Sequence, residues 1–212
     1  MKEYLDSLKW RYAVKKYDTT KKVSGEDIEF LKEAVQLSVS SVGLQPYKVI
    51  VVETQTVKEQ LAEAASGNNK NIFADASHLF IFANELDVNS KHVDLYIDNI
   101  AVQRGVAKEA VSGFSDYIKG YLGSLTTEQK DIWTAKQVYI ALSTLINSAA
   151  ILKVDATPME GYDAEKINTL LGLDKKGLNA AVIASVGYRH EEDAQQHAKK
   201  VRKPTEELFI TL

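Results

Sequence analysis

The chain has 212 residues, 45% hydrophobic and 26% charged, the composition of an ordinary globular protein long enough for one sizeable core. Its net charge of −3 excludes the global basic field that nucleic-acid binding draws on, so any anion site must be local. Cysteine is absent, which excludes disulfides, a cysteine nucleophile and thiolate-held zinc or iron–sulfur clusters. The N-terminus has acids and no apolar core of a signal peptide, and with the missing cysteine it points to a cytoplasmic protein.

In chain order, Tyr4–Trp10 predicts a short helix. Ser24 before Glu26 and Asp27 reads as a helix start, and Ile28, Leu31, Val35 and Val39 then fall on one face. A polar turn over Ser40–Pro46 leads into a strand, Tyr47–Glu53. Val57–Ala65 reads as a helix, Ser66–Asn71 as a Gly/Asn-rich loop, and His78–Ala83 as a strand apolar on both faces. Asp94–Ala110 predicts a helix, and Ser112–Leu125 a mobile, partly helical excursion. Glu128–Leu152 is a long helix, apolar on most sides from Val138 onward, which suggests a subunit interface. A short strand, Lys153–Thr157, precedes a helix over Ala164–Leu171 stopped by Gly172, and Asn179–Tyr188 is the last clear strand. The tail Leu208–Leu212 is apolar and suited to pairing with a sheet edge. No linker-like stretch divides the chain, so one domain over residues 1–212 is expected.

Several chemistries lack their residues. No G-x-G occurs, the Gly172 and Gly177 pair is followed by Leu178-Asn179 and not by Lys-Ser/Thr, and no G-x-S-x-G elbow is present. The four histidines show no zinc-protease spacing, so no metal is expected.

Two basic clusters and one loop remain. Arg11 and Lys15 share a side whether the segment is extended or helical, and Lys200 and Arg202 sit at alternate positions. In Thr157–Asp163, Pro158 has no N–H, whereas Met159, Glu160 and Gly161 present a row of them. Gly161 permits close approach of a ligand, and Asp163 can cap the next helix.

Taken together, Arg11-x-x-x-Lys15-x-Tyr17-Asp18, Ser40-Ser41-x-x-x-Gln45-Pro46-Tyr47, Asp75-Ala76-Ser77-His78, Trp133-x-x-Lys136-Gln137, Pro158-Met159-Glu160-Gly161-Tyr162-Asp163 and Lys200-x-Arg202 occur in that order. The chain resembles the FMN-dependent nitroreductase family, in its oxygen-insensitive NAD(P)H nitroreductase and flavin reductase branch. The resemblance implies an α+β fold: a three-layer α-β-α sandwich on a mainly antiparallel sheet, forming an intertwined homodimer with FMN at the subunit interface. It implies Arg11, Lys200 and Arg202 on the FMN phosphate, with Tyr12 and Ala13 lining it. Lys15 is implied near the pyrimidine edge of the flavin, and Ser40 and Ser41 of the other subunit beside the ring. Asn69 matches the family's loop asparagine, and Gln137 is implied to face the ribityl chain. Pro158 and Met159 are implied against the ring, with the N–H of Glu160 toward N5 and that of Gly161 toward O4.

The chain departs from the family pattern in three places. Tyr12-Ala13 replaces His-Ser, Gly43 replaces an asparagine that contacts the flavin, and Ile72 replaces a loop lysine, with Lys70 nearby. Phe114, Tyr117 and Tyr121 fall where the family has a variable lid over the substrate. The implied activity is ping-pong hydride transfer from NAD(P)H through FMN to nitroaromatic, quinone or flavin acceptors. The alternatives are a dedicated flavin, quinone or pteridine reductase, or a flavin-binding storage protein.

Overall fold

A computed structural model describes residues 2–212. The helices are α1 Lys2–Trp10, α2 Gly25–Gln36, α3 Gln55–Ala62, α4 Asn69–Asp75, α5 Ser90–Arg104, α6 Ser112–Gly123, α7 Thr127–Ile151, α8 Ala164–Leu171 and α9 Thr205–Leu208. The strands are β1 Tyr47–Val52, β2 His78–Glu85, β3 Asp155–Met159 and β4 Leu178–Gly187. They form one antiparallel sheet in the order β1-β2-β4-β3.

The period of two along β2 sorts its side chains between the sheet faces. Leu79, Ile81 and Ala83 join a core with Leu61 of α3, Phe73 of α4 and Ile167 of α8. Phe80 and Phe82 face the other way, onto Leu31 and Val35 of α2 and Val138, Ala141 and Leu145 of α7. The result is the expected three-layer sandwich. A third cluster joins α5 and α6 through Val93, Ile97, Ile118 and Leu122 to Trp133 of α7.

Helix starts follow their capping residues. Ser24 accepts from the Asp27 N–H at 3.0 Å, Asp163 accepts from that of Lys166 at 3.1 Å, and Thr126 forms a reciprocal box with Gln129. Pro158 is tolerated because β3 is an edge strand, where a missing N–H leaves no ladder bond unmade.

Four expectations change. Helix α2 stops at Gln36, so Val39 is exposed and not part of the buried face. The loop Ser66–Asn71 runs into α4, a helix the sequence pattern missed because its Asn-rich start reads as a turn. The Ser112–Leu125 excursion is one complete helix, held to α5 by Ile118 and Leu122. The third strand is shifted to Asp155–Met159 and so includes Pro158 and Met159. The tail beyond α9 is exposed and pairs with no strand among the described residues.

Lys58 is fully buried, and its ammonium donates to the carbonyls of Ala74 and Ala76 at the end of α4. Burial lowers its pKa to about 8. No helix among the described residues is long and apolar enough to cross a membrane.

Candidate active site

The segment after α1 runs without regular structure over residues 11–14. Val14 is buried, and its carbonyl accepts from the Thr157 hydroxyl at 3.1 Å. That contact stitches the segment to β3 and leaves Arg11, Ala13 and Lys15 on the wall of a cavity of about 370 Å3. Lys200 and Arg202, returning from the C-terminus, line the same cavity. The two basic clusters, far apart in the chain, are therefore one cluster in space.

Among the described residues, none of these cations forms an ion pair with an acid. The Nε of Arg11 is buried and has no hydrogen-bond partner. Burial, and next the charge of Arg202, lower the pKa of Arg11. Burial and then the charges of Arg11 and Arg202 do the same to Lys200. Mutual repulsion of this kind is relieved by an anion. The Lys200 ammonium also donates to the carbonyls of Leu8, at 2.6 Å, and Arg11, at the negative end of α1. Arg202 is exposed.

Tyr12 lines the cavity, but its hydroxyl is buried beside the Asp193 carboxylate and has no other hydrogen-bond partner among the described residues. Burial, then the charge of Asp193, raise its pKa. Tyr12 thus serves as a packing surface. Its ring lies 4.5 Å from the guanidinium carbon of Arg189, and the Trp10 ring lies 4.2 Å from it. Arg189 in turn forms a bidentate pair with buried Asp155, at 2.6 Å from Nη2 and 3.0 Å from Nε.

The loop after β3 lies close by. The amides of Glu160 and Gly161 donate to no protein acceptor among the described residues. The Gly161 carbonyl accepts from the Ser66 N–H at 2.9 Å and the Asn69 amide at 3.1 Å. A Cβ at Gly161 would meet that amide at 2.7 Å, so a side chain here would push the Asn69 amide off the carbonyl. Asn68 reaches the other way, to the Lys15 carbonyl at 3.2 Å. The start of α4 therefore joins Lys15 to the Pro158–Gly161 loop. Lys70 is paired with Glu63 at 2.9 Å and Ile72 is buried.

The remaining expected residues form a second group. Gln137 is buried. Its carbonyl accepts from the Ser41 N–H at 2.7 Å and its amide donates to the Trp133 carbonyl at 3.0 Å. It anchors the Ser40–Gly43 turn of its own chain. That turn is strained: β-branched Val42 sits at φ 51° and Gln45 at φ 46°. Tyr96 of α5 presses on it and meets Phe114 edge-on, with ring centroids 6.4 Å apart. Tyr121 meets Trp133 at 6.0 Å, and Tyr117 is exposed.

Residues 8–188 match the Nitroreductase family. The chain belongs to the nitroreductase family. The major NAD(P)H-flavin oxidoreductase of Aliivibrio fischeri is 32% identical over 98% of both chains. The oxygen-insensitive NAD(P)H nitroreductase of Salmonella typhimurium is 29% identical over 92% of this chain and 93% of its own. Among solved structures, a nitroreductase family protein from Streptococcus pneumoniae superposes with a TM-score of 0.84 at 20% identity, covering 99% of this chain and 100% of its own. A protein of Exiguobacterium sibiricum solved in complex with FMN gives 0.83 at 21% identity, covering 99% and 97%. These likenesses establish the nitroreductase fold.

Within that fold, Gly43 has a local reason. It sits at φ 74°, and a Cβ there would lie 2.2 Å from the Tyr96 hydroxyl oxygen. Gly43→Ala is expected to destabilise the protein by about 1–2 kcal/mol, the usual cost of a left-handed non-glycine residue, and more where Tyr96 must move. In a Tyr96→Ala background the loss should shrink. Equal losses in both backgrounds by urea denaturation would remove Tyr96 as the cause.

Sequence reading missed Asp155, Arg189, Asp193, Asn68 and Tyr96. Each acts through a partner distant in the chain, so no local spacing marks it. The one accessible signal was Asp193 itself, an acid seven residues before Lys200.

Proposed function

We propose that this nitroreductase-family protein is an FMN-dependent NAD(P)H oxidoreductase. One juxtaposition carries the reading: a cationic cavity with an unpartnered arginine nitrogen, joined through Asn68 and Asn69 to a loop with two unpaired amides. The donor set fits FMN at both ends. Arg11, Lys200 and Arg202 hold the phosphate, and arginine suits this because its fork gives two parallel bonds to phosphate oxygens. Lys15 and the amides of Glu160 and Gly161 face the ring, where fixed donors favour the negative charge of the reduced state. When bound, FMN supplies the redox chemistry, a ping-pong hydride transfer from NAD(P)H to a nitroaromatic, quinone or flavin acceptor.

The working unit of this reading is a homodimer of single-domain, cytoplasmic chains. Gln137 and Tyr139 are two residues apart on α7, so they point to nearly opposite sides of the helix. Gln137 holds the Ser40–Gly43 turn, whereas the Tyr139 hydroxyl donates to the Glu160 carboxylate at 2.6 Å. A ring lying on the Glu160 loop therefore meets the Ser40–Ser41 turn of a second copy more readily than its own. Ile140 and Ile151 of α7, Leu37, Val39 and the tail residues Phe209 and Ile210 are exposed apolar side chains that a second copy would cover.

The purified protein should be yellow, carry one FMN per chain and run as a dimer by light scattering at micromolar concentration. Anaerobic NADH or NADPH should bleach it within the turnover time, whereas a storage protein would bleach slowly. A colourless protein that fails to quench FMN fluorescence sinks the proposal, and an FMN-loaded monomer sinks the dimer.

A further inference from the structure

The anion cavity is built from two arms that have no sequence relation, residues 11–15 and residues 195–202. Two contacts tie them at the cavity. At one, the Lys200 ammonium holds the carbonyls that end α1. At the other, the Asp193 carboxylate holds both arms together. Its Oδ2 accepts from the Lys15 N–H at 2.7 Å and the Lys16 N–H at 3.2 Å, and its Oδ1 accepts from the Gln195 N–H at 3.0 Å. Asp193 is only 3% exposed.

We propose that Asp193 is a positioning residue for the phosphate grip: its carboxylate clasps the Lys15 arm to the arm that carries Lys200 and Arg202, and so fixes the spacing of the cations that hold the FMN phosphate. The proposal rests on the FMN reading above.

The choice of partners explains why a carboxylate is used beside an anion site. A negative charge there would by itself repel phosphate. Here it is met by three backbone N–H groups, and no cationic side chain among the described residues forms an ion pair with it. The clasp therefore consumes none of the guanidinium or ammonium groups, and Arg11 keeps its unpartnered nitrogen. Burial opposes the charge of Asp193, but the N–H groups of Lys15, Gln195 and Lys16 outweigh it and hold the carboxyl below its usual pKa. Backbone donors also transmit position better than a salt bridge, because they fix the main chain from which Lys15 projects. Lys15 and Gln195 are 180 positions apart in sequence, and beyond Lys16 the two stretches are joined by the His190 N–H on the Lys16 carbonyl and the Tyr17–Arg189 bridge, so a loose clasp would leave the spacing at the cavity itself to the Lys200 contact.

The test compares FMN with riboflavin, which shares the ring and ribityl chain but lacks the phosphate. Flavin-stripped full-length wild type, Asp193→Asn and Asp193→Ala are titrated with both by fluorescence quenching, with urea denaturation in parallel. Asp193→Asn keeps one acceptor oxygen and removes the charge; Asp193→Ala removes the clasp. The expected result is a loss of FMN affinity of roughly 10-fold or more in Asp193→Ala and a smaller one in Asp193→Asn, with riboflavin, which meets the clasped arm only through Lys15 at the ring, losing several-fold less than FMN in both. If Asp193→Ala does not fold, Asp193→Asn alone decides. FMN binding that is unchanged or tighter overturns the proposal, since the residue would then contribute only its repulsive charge. Equal losses for FMN and riboflavin also overturn it, leaving Asp193 a general structural acid. Failure of wild type to bind FMN is a separate result and would refute the cofactor assignment instead.

Discussion

Arg11→Ala is expected to lower FMN affinity by roughly 10- to 150-fold, because each charge-assisted hydrogen bond contributes about 1.5–3 kcal/mol. Riboflavin affinity should change little. Arg11 is the sharpest probe of the three cations, because its Nε is buried and without a protein partner, so its removal frees no other group. Lys200 is a poorer probe, since its ammonium also ties down the end of α1 and its loss would disturb the fold. Arg202→Ala should act in the same direction but less, as its guanidinium is exposed and screened by solvent. Removing Arg11 also removes a repelling charge from Lys200, so the variant should be no less stable than wild type without flavin. The measurement is a pair of flavin titrations at one ionic strength. Loss of riboflavin affinity equal to that of FMN would take the phosphate away from Arg11.

Asp155→Ala is expected to cost about 3–5 kcal/mol of stability, the range for breaking a buried ion pair by removing one partner. Asp155 is 2% exposed and accepts from Nε and Nη2 of the Arg189 guanidinium and from its backbone N–H at 2.8 Å. Without it, the guanidinium stays clamped between Trp10 and Tyr12 with its charge unanswered. The double variant Asp155→Ala, Arg189→Met should recover much of the loss, because both charges are then gone and an apolar chain remains between the two rings. Urea denaturation at fixed protein concentration separates the cases. A single variant within about 1 kcal/mol of wild type would show that the aromatic clamp alone satisfies Arg189. The same pair aligns the Tyr12 ring next to Arg11, so the single variant should also weaken FMN binding at temperatures where it remains folded.

The sequence by itself determined the layers and the ingredients of the site. Binary patterning marked β2 as a strand buried on both faces, and it marked α7 as a helix with a broad apolar stripe. Ser24 and Asp163 announced their helices because a cap acts on amides only two or three residues away. Arg11, Lys15, Lys200, Arg202 and the Pro158–Gly161 loop stood out as two basic clusters and a row of amides, and the roles proposed for them came from the ordered motifs that resemble the family. Tertiary structure decided how those pieces meet. The union of two basic clusters into one cavity depends on Asp193 and Lys200, contacts between segments 177 or more residues apart. The packing of the Tyr12 ring depends on Arg189, held by Asp155, and its hydroxyl is buried beside Asp193. The glycine at position 43 depends on a tyrosine arriving from α5. Helix α6 looked like a loose excursion because glycines 113, 120 and 123 lower its local helix propensity, and burial of Ile118 and Leu122 against α5 outweighs that. Local signals in a chain report local energies. The spacing of charges across a site is set by long-range packing, and that is settled only when the whole core closes.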